Sequence, residues 1–139
     1  MKYTDQQRLK KIYDNANKLN SYIISNKISK EQLLQEETLQ WLVTTPLYNI
    51  GEHSYCLSDE YKEAHPEILW SLMAGLRHRL VHDYDGTNWN IIASVVFEDL
   101  PELIIKLKEL INKKQNHLVK VITGIRRCGK SYLLNKIFL

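Results

Sequence analysis

Apolar residues recur at helical spacing through the first four-fifths of the chain. Between Asp5 and Asn26 the apolar positions are separated by three or four residues: Leu9, Ile12, Ala16, Leu19 and Ile23. This spacing puts one apolar stripe on an amphipathic helix. The pattern therefore predicts a first helix over residues 5–26.

A second helical stretch is predicted from Ser29 toward Leu57. Ser29 and Gln32 have the spacing of a capping box, in which each side chain binds the other residue's backbone amide. Pro46 has no amide hydrogen, so we expect a kink or a break near it. Gly51 follows and leaves room for close packing against another element.

Three further helices are predicted from residues typical of helix ends and from apolar spacing. Pro66 suits the first position of a third helix, whose wide apolar face runs through residues 68–81. Thr87 can cap a fourth helix, and residues 99–101 separate it from a last helix over 103–115. Residues 1–115 are thus predicted to form an all-α, antiparallel bundle of about five helices with short loops.

The tail, residues 116–139, has a different pattern. Residues 118–123 are β-branched and predict a short strand, and residues 124–131 match the P-loop pattern, with a short helix to follow. In a working site backbone amides cradle phosphates, Lys130 reaches the terminal ones and Ser131 holds magnesium. The required positions are Gly124, Gly129, Lys130 and Ser131.

One strand and one short helix cannot supply the covered parallel sheet and the acidic residue that such a site needs. We therefore expect a vestigial site. The segment resembles the opening of an AAA-type ATPase and is interpreted as a truncated remnant; the simpler alternative is a basic, weakly ordered appendage.

Composition indicates an ordinary globular chain. The chain has 139 residues, of which 44% are hydrophobic, enough for a core without disulfides or structural metal. Its two cysteines form neither a disulfide framework nor a four-ligand zinc set. No apolar run is long enough for a signal peptide or a membrane span, so we expect a cytoplasmic protein.

The net charge of +3 belongs to the tail rather than to the helical part. Residues 1–115 hold 14 Lys/Arg and all 16 Asp/Glu, a balance of −2. Overall basicity is therefore no argument that this part binds nucleic acid, and any such site has to be local.

The densest group of polar and charged side chains lies at the end of the predicted third helix, over residues 77–84. Arg77 and Tyr84 lie on nearly the same helix edge, and His78 and His82 lie one turn apart on a neighbouring edge. These side chains could simply cap the helix C-terminus, where cations are favoured. Metal binding by the two histidines is a weaker alternative, because a third ligand would have to come from His53, His65, Asp83 or Asp85 without a supporting spacing.

Arg77, His82 and Tyr84 match the Arg-x4–6-His-x-Tyr motif of HEPN ribonucleases, and residues 1–115 resemble the HepT-like toxin branch. The resemblance extends to residues 50–52, 65–70, 75–77 and 99–103. One position departs from the family, because His78 stands where asparagine is common.

The resemblance implies a helical bundle that forms a homodimer or a higher oligomer and cleaves RNA without metal or cofactor in a composite cleft. His82 is the acid/base candidate, since histidine can accept or donate a proton at neutral pH. Arg77 suits the charge that develops on the phosphoryl oxygens. His78, Arg79 and Glu52 are candidates for supporting roles.

Tyr84 has a different implied role, as the acceptor of AMP from a nucleotidyltransferase antitoxin of the MntA type. The added phosphodiester would place negative charge beside Arg77 and silence the nuclease. Two alternatives stay open: a catalytically impaired HEPN-fold module that binds RNA or a nucleotidyltransferase, and a nucleotide-binding protein that uses the P-loop.

Overall fold

The computed structural model describes residues 2–81 and 87–125, and it describes side chains over residues 2–80 and 87–113. That part of the chain is helical and contains no strand. A π-helical turn, Val95–Asp99, joins the last two helices. The helices are α1 (Asp5–Ser25), α2 (Lys30–Gln35), α3 (Glu37–Tyr55), α4 (Asp59–Ala64), α5 (Trp70–Val81), α6 (Trp89–Ser94) and α7 (Leu100–Ile125).

The predicted all-α class is confirmed for the described residues. The chain divides into two compact units, Met1–Leu107 and Lys108–Leu139. The boundary predicted after residue 115 stays a prediction. Within the described ranges, no helix combines the length and the apolar character that a bilayer crossing needs.

Helix α3 is the centre of the first unit and packs against both α1 and α5. The predicted apolar stripe of α1 is confirmed, because all five of its residues are buried. Val43, Leu47 and Ile50 of α3 are likewise buried. Complete burial of one such side chain contributes about 1.5–3 kcal/mol, so the contacts of α3 hold the bundle together.

The break in the second helical stretch lies at Glu36, not at Pro46. The Ser29 capping box is confirmed: Ser29 Oγ accepts from the Gln32 amide at 3.2 Å, and Gln32 Oε1 accepts from the Ser29 amide at 2.7 Å. Extended backbone at Glu36 then separates α2 from α3. Pro46 lies inside α3, where apolar burial on both sides offsets the loss of one backbone hydrogen bond.

Helix α5 starts at Trp70, four residues after the predicted start at Pro66. The chain turns before it, and the Trp70 indole donates to the His65 carbonyl at 2.9 Å. Helix α4 was not predicted, because it buries none of its residues and so has no apolar period.

The fourth and last predicted helices are linked without a break. The Asn88 side chain, not Thr87, caps α6 by accepting from the amides of Asn90 and Ile91. The π-helical turn continues directly into α7. Pro101 directly follows the π-helical turn and supplies no amide to the hydrogen-bond ladder that runs through it.

Residues 118–123 are helical, which corrects the predicted strand. They continue α7 up to Ile125, with no proline or glycine between Pro101 and Gly124 to stop it. A short β-branched run has only a weak preference for strand, and a helix already formed before it overrides that preference. Residues 126–139, which hold most of the P-loop pattern, lie outside the described residues.

Asp5 connects the start of α1 to the start of α4. Its carboxylate accepts from the Ser58 amide at 3.0 Å and from the Ser58 hydroxyl at 2.6 Å. Ser58 Oγ in turn accepts from the Tyr61 amide and caps α4. The hydrogen bond from the Ser58 hydroxyl is the main reason that the pKa of Asp5 lies below its ordinary value.

Asp5→Asn is expected to lower the free energy of unfolding at neutral pH, by less than about 1 kcal/mol because the carboxylate is partly exposed. The folded pKa of Asp5 is lowered, so its contribution is complete above the unfolded pKa near 3.8 and disappears as the pH falls through the folded pKa. Urea unfolding at a series of pH values measures the difference. Asp14→Asn is the matched control, and a gap that stays constant into acid would contradict the prediction.

Candidate functional site

Arg77 of α5 and Glu52 of α3 form the charged centre of the candidate site. The Arg77 Nη1 donates to Glu52 Oε2 at 3.1 Å, and about a third of each side chain is exposed (33% and 38%). The two residues are 25 positions apart in the sequence, so only the packing of α3 against α5 brings them together. The structure thus places Glu52 beside Arg77.

Tyr55 is a second partner of Arg77, and the sequence analysis missed it. The guanidinium carbon lies 3.8 Å from the centre of the Tyr55 ring, a cation–π contact. Glu52 and Tyr55 are three residues apart on α3 and therefore share a helix face. That spacing was the signal available in the sequence, but it acquires meaning only once α5 lies against this face.

The electrostatics favour a permanently charged Arg77. The hydrogen bond to Glu52 is the main cause that raises the pKa of Arg77 above its ordinary value. A guanidinium carries five N–H donors, and the Glu52 bond uses one of them. The arrangement therefore fixes the position of the cation while leaving donors that can bind the oxygens of a phosphate.

Close packing at Gly51 sets the distance between the two helices. A Cβ atom on Gly51 would lie 2.8 Å from the Arg77 amide nitrogen and 3.0 Å from the Met73 carbonyl oxygen. Both contacts are with backbone, which cannot rotate away. The expectation that Gly51 allows close packing is confirmed, and the contact places Arg77 next to Glu52.

The structure describes only some of the other predicted site residues. His78 and Arg79 are exposed near the end of α5, and the Arg79 carbonyl accepts from the Thr87 hydroxyl at 3.4 Å. His82 and Tyr84 lie outside the described residues, as do Gly129, Lys130 and Ser131. Gly124 lies near the end of α7 rather than after a strand.

Two of the four residues considered as a third metal ligand, His53 and His65, have other partners. His53 Nδ1 contacts Arg8 Nη1 at 3.2 Å, and His65 Nδ1 lies 3.5 Å from Glu67 Oε1. Across residues 2–80 and 87–113, whose side chains the structure describes, no three His, Cys, Asp or Glu side chains are grouped as a metal site would need. Asp83 and Asp85 are outside those ranges.

Comparison with known proteins identifies the family. The family model described as "Ribonuclease HepT-like" matches residues 9–110. A "Probable ribonuclease HepT" of Thermococcus cleftensis is 35% identical over 62% of this chain and 78% of its own length. A "Putative RNase" of Caldanaerobacter subterraneus subsp. tengcongensis is 33% identical over 63% and 79%. Another "Putative RNase", of Methanocaldococcus jannaschii, is 30% identical over 72% and 84%.

These matches and the helical bundle define the class: the chain belongs to the ribonuclease HepT-like family. The match runs from Leu9 within α1 to the early part of α7, and so includes Arg77, Glu52 and Tyr55. No solved structure gives a significant match to the chain.

Gly51→Ala is expected to destabilise the protein by about 1–3 kcal/mol, because the added methyl group meets backbone atoms of α5. Gly75→Ala is the matched control. A Cβ at Gly75 meets nothing within 4 Å, so the same change within α5 should stabilise the protein by about 0.4–1 kcal/mol. Chemical denaturation of the two variants gives both values, and an equal stability for Gly51→Ala and wild type would show that the helices are not in contact here.

Proposed function

We propose that this chain is a metal-independent endoribonuclease and the toxin of a HepT/MntA-type toxin–antitoxin pair. The observation that carries the proposal is the position of Arg77. This arginine of α5 is held by Glu52 and Tyr55 of α3, in a chain of the HepT-like family. The relatives named as ribonucleases support it. No cofactor is needed for the reaction derived below.

The reaction is an internal transesterification of RNA. A ribose 2′-oxygen attacks the adjacent phosphorus, its proton passes to a base, and the bond from phosphorus to the 5′-oxygen breaks. The departing 5′-oxygen receives a proton from an acid. The products are a 2′,3′-cyclic phosphate and a 5′-hydroxyl, so the reaction needs two proton transfers and no external oxidant or metal.

Arg77 stabilises the phosphoryl group in this proposal. Negative charge builds up on the phosphoryl oxygens as the new bond forms, and a planar guanidinium can bind two of them at once. Glu52 and Tyr55 act as positioning residues, since their contacts hold Arg77 in one place before the substrate arrives. This lowers the reorganisation that the transition state would otherwise require.

His82 moves the protons. It lies five residues after Arg77, at the motif position of the family, and its ordinary pKa near 6.5 lets imidazole both accept and donate at neutral pH. A homodimer, or a higher oligomer, would bring two copies of Arg77 and His82 to one cleft. His78 and Arg79, both exposed, would orient the RNA or contact the second subunit.

Tyr84 provides regulation in this proposal. An unperturbed phenol, with a pKa near 10, is too weak an acid to lead proton transfer at neutral pH. An MntA-type nucleotidyltransferase would transfer AMP from ATP to the Tyr84 oxygen, with pyrophosphate leaving. The new phosphodiester would compete with RNA for Arg77.

RNA cleavage by the purified chain is expected to persist in EDTA and to fall by about 100- to 10,000-fold in His82→Ala. Arg77→Ala should lose about 100- to 1,000-fold, because it removes a preorganised charge at the phosphoryl group. Denaturing gels measure the rates, and end-group analysis should find cyclic phosphates.

Lys27→Gln, an exposed change beyond the end of α1, is the control and should cleave at the wild-type rate. Equal cleavage by wild type and His82→Ala, with a loss in Arg77→Ala, would contradict the role of His82, and equal cleavage by all variants would identify a contaminating nuclease. Intact RNA with every protein would favour the module that binds RNA or a nucleotidyltransferase without cleaving.

Incubation with the partner nucleotidyltransferase and ATP is expected to add one adenylyl group to the Tyr84 peptide and to stop cleavage. Mass spectrometry of the digested protein measures the modification. Tyr84→Phe should cleave RNA but gain no mass at this peptide, and modification of a different residue would contradict the assigned acceptor.

A further inference from the structure

A cationic cluster lies on the face of α3 that meets α1. It consists of Arg8 and Lys11 of α1, His53 of α3, and Tyr3 just before α1, and is called the Arg8 cluster below. The Arg8 guanidinium and the Lys11 ammonium lie 5.4 Å and 5.1 Å from the centre of the Tyr3 ring. The rings of Tyr3 and His53 meet edge to face, with their centres 5.6 Å apart. All four side chains are partly exposed.

The contact between Arg8 and His53 fixes the imidazole tautomer. Arg8 Nη1 lies 3.2 Å from His53 Nδ1, and a guanidinium can only donate, so Nδ1 must be the acceptor. The proton of a neutral imidazole is then on Nε2, which becomes a donor. Burial, followed by the nearby charges of Arg8 and Lys11, lowers the pKa of His53 and supports this neutral form.

The cations of the cluster are held by neutral groups. Among the side chains described, those of residues 2–80 and 87–113, no carboxylate forms an ion pair with Arg8 or Lys11. The carboxylate of Asp5 is near enough to feel the charge of Arg8, but it binds Ser58. Arg77 differs, because Glu52 already balances its charge. The cluster therefore offers positive charge and several donors to an anion from outside.

The cluster lies beside the candidate ribonuclease site along the same helix. His53 directly follows Glu52, so α3 presents Glu52 to α5 and His53 to α1. The contact between Asn49 of α3 and Asn15 of α1, at 3.3 Å, shows that this second face lies against α1 over more than one turn. An extended polyanion bound at Arg77 would thus have a second cationic contact on the neighbouring face of α3.

We propose that the Arg8 cluster binds a backbone phosphate of single-stranded RNA, outside the phosphate that is cleaved. The inference rests on the proposed ribonuclease function and adds a binding subsite to it. Residues 1–115 carry a net charge of −2, so the helical part as a whole does not attract RNA, and local cations have to hold the strand. Arg8 and Lys11 supply charge, and His53 supplies the Nε2 donor.

The test is RNA binding by the full chain in the His82→Ala background, in which the probe is not cut. Fluorescence anisotropy of a labelled single-stranded RNA gives the Kd over a range of salt concentrations. Each lost phosphate contact reduces the slope of log Kd against log salt by about 0.7 for single strands. The double change Arg8→Gln with Lys11→Gln should therefore reduce the slope by about 1.4 and weaken binding to all sequences alike.

Lys27→Gln and Lys11→Gln are the matched single changes. Lys27 is exposed and lies beyond the C-terminal end of α1, so Lys27→Gln removes one positive charge away from the cluster and should leave the slope unchanged. Lys11→Gln should reduce the slope by about 0.7. Lys11 is partly exposed and forms no ion pair in the described residues, so this variant keeps the test valid if the double variant is unstable. Thermal melting checks that each variant is folded.

The outcomes separate this inference from the proposed function. If RNA is cleaved in a His82-dependent way but Lys11→Gln has the wild-type slope, the subsite is wrong and the ribonuclease remains. If the wild-type chain neither binds nor cleaves RNA, both proposals are wrong. If the folded variants lose binding to a labelled poly-glutamate peptide but keep wild-type RNA binding, the cluster serves an acidic protein partner, which overturns the RNA subsite.

Discussion

The contact between the backbones of α3 and α5 at Gly51 is the constraint on which the rest of the candidate site depends. Glycine leaves no side chain between the helices, so the Arg77 backbone lies directly against α3. Arg77 then reaches Glu52 and Tyr55, which are one turn apart on the facing surface. A bulkier residue at position 51 would separate the helices, and the ion pair and the ring contact would both be lost with the same shift.

The two arginines beside α3 are held in opposite ways. Arg77 is balanced by a carboxylate, which fixes its position and keeps it charged, as its proposed role at a reacting phosphate requires. Arg8 contacts an imidazole and an aromatic ring, and within the described residues it forms no ion pair. One helix therefore combines preorganisation on one face with attraction for an anion on the other, in a helical part whose total charge is slightly negative.

The positions at which this fold departs from local sequence rules have a common cause. Pro46 stays within α3 and the π-helical turn leads into Pro101 without a break, because apolar residues on both sides of each position are buried. Burial of those side chains outweighs the local penalty, which for a proline inside a helix is about 3 kcal/mol.

The sequence by itself determined the helical class, the buried stripe of α1, the capping box at Ser29 and the motif that contains Arg77 and His82. These are local or periodic properties, which a single helix expresses without its neighbours. Only the tertiary structure decided that Glu52 and Tyr55 hold Arg77 and that Arg8 meets His53, because both contacts join residues far apart in the chain. Helix α4 also depended on the fold, since the Asp5 contact with Ser58 holds its start and it has no apolar stripe of its own.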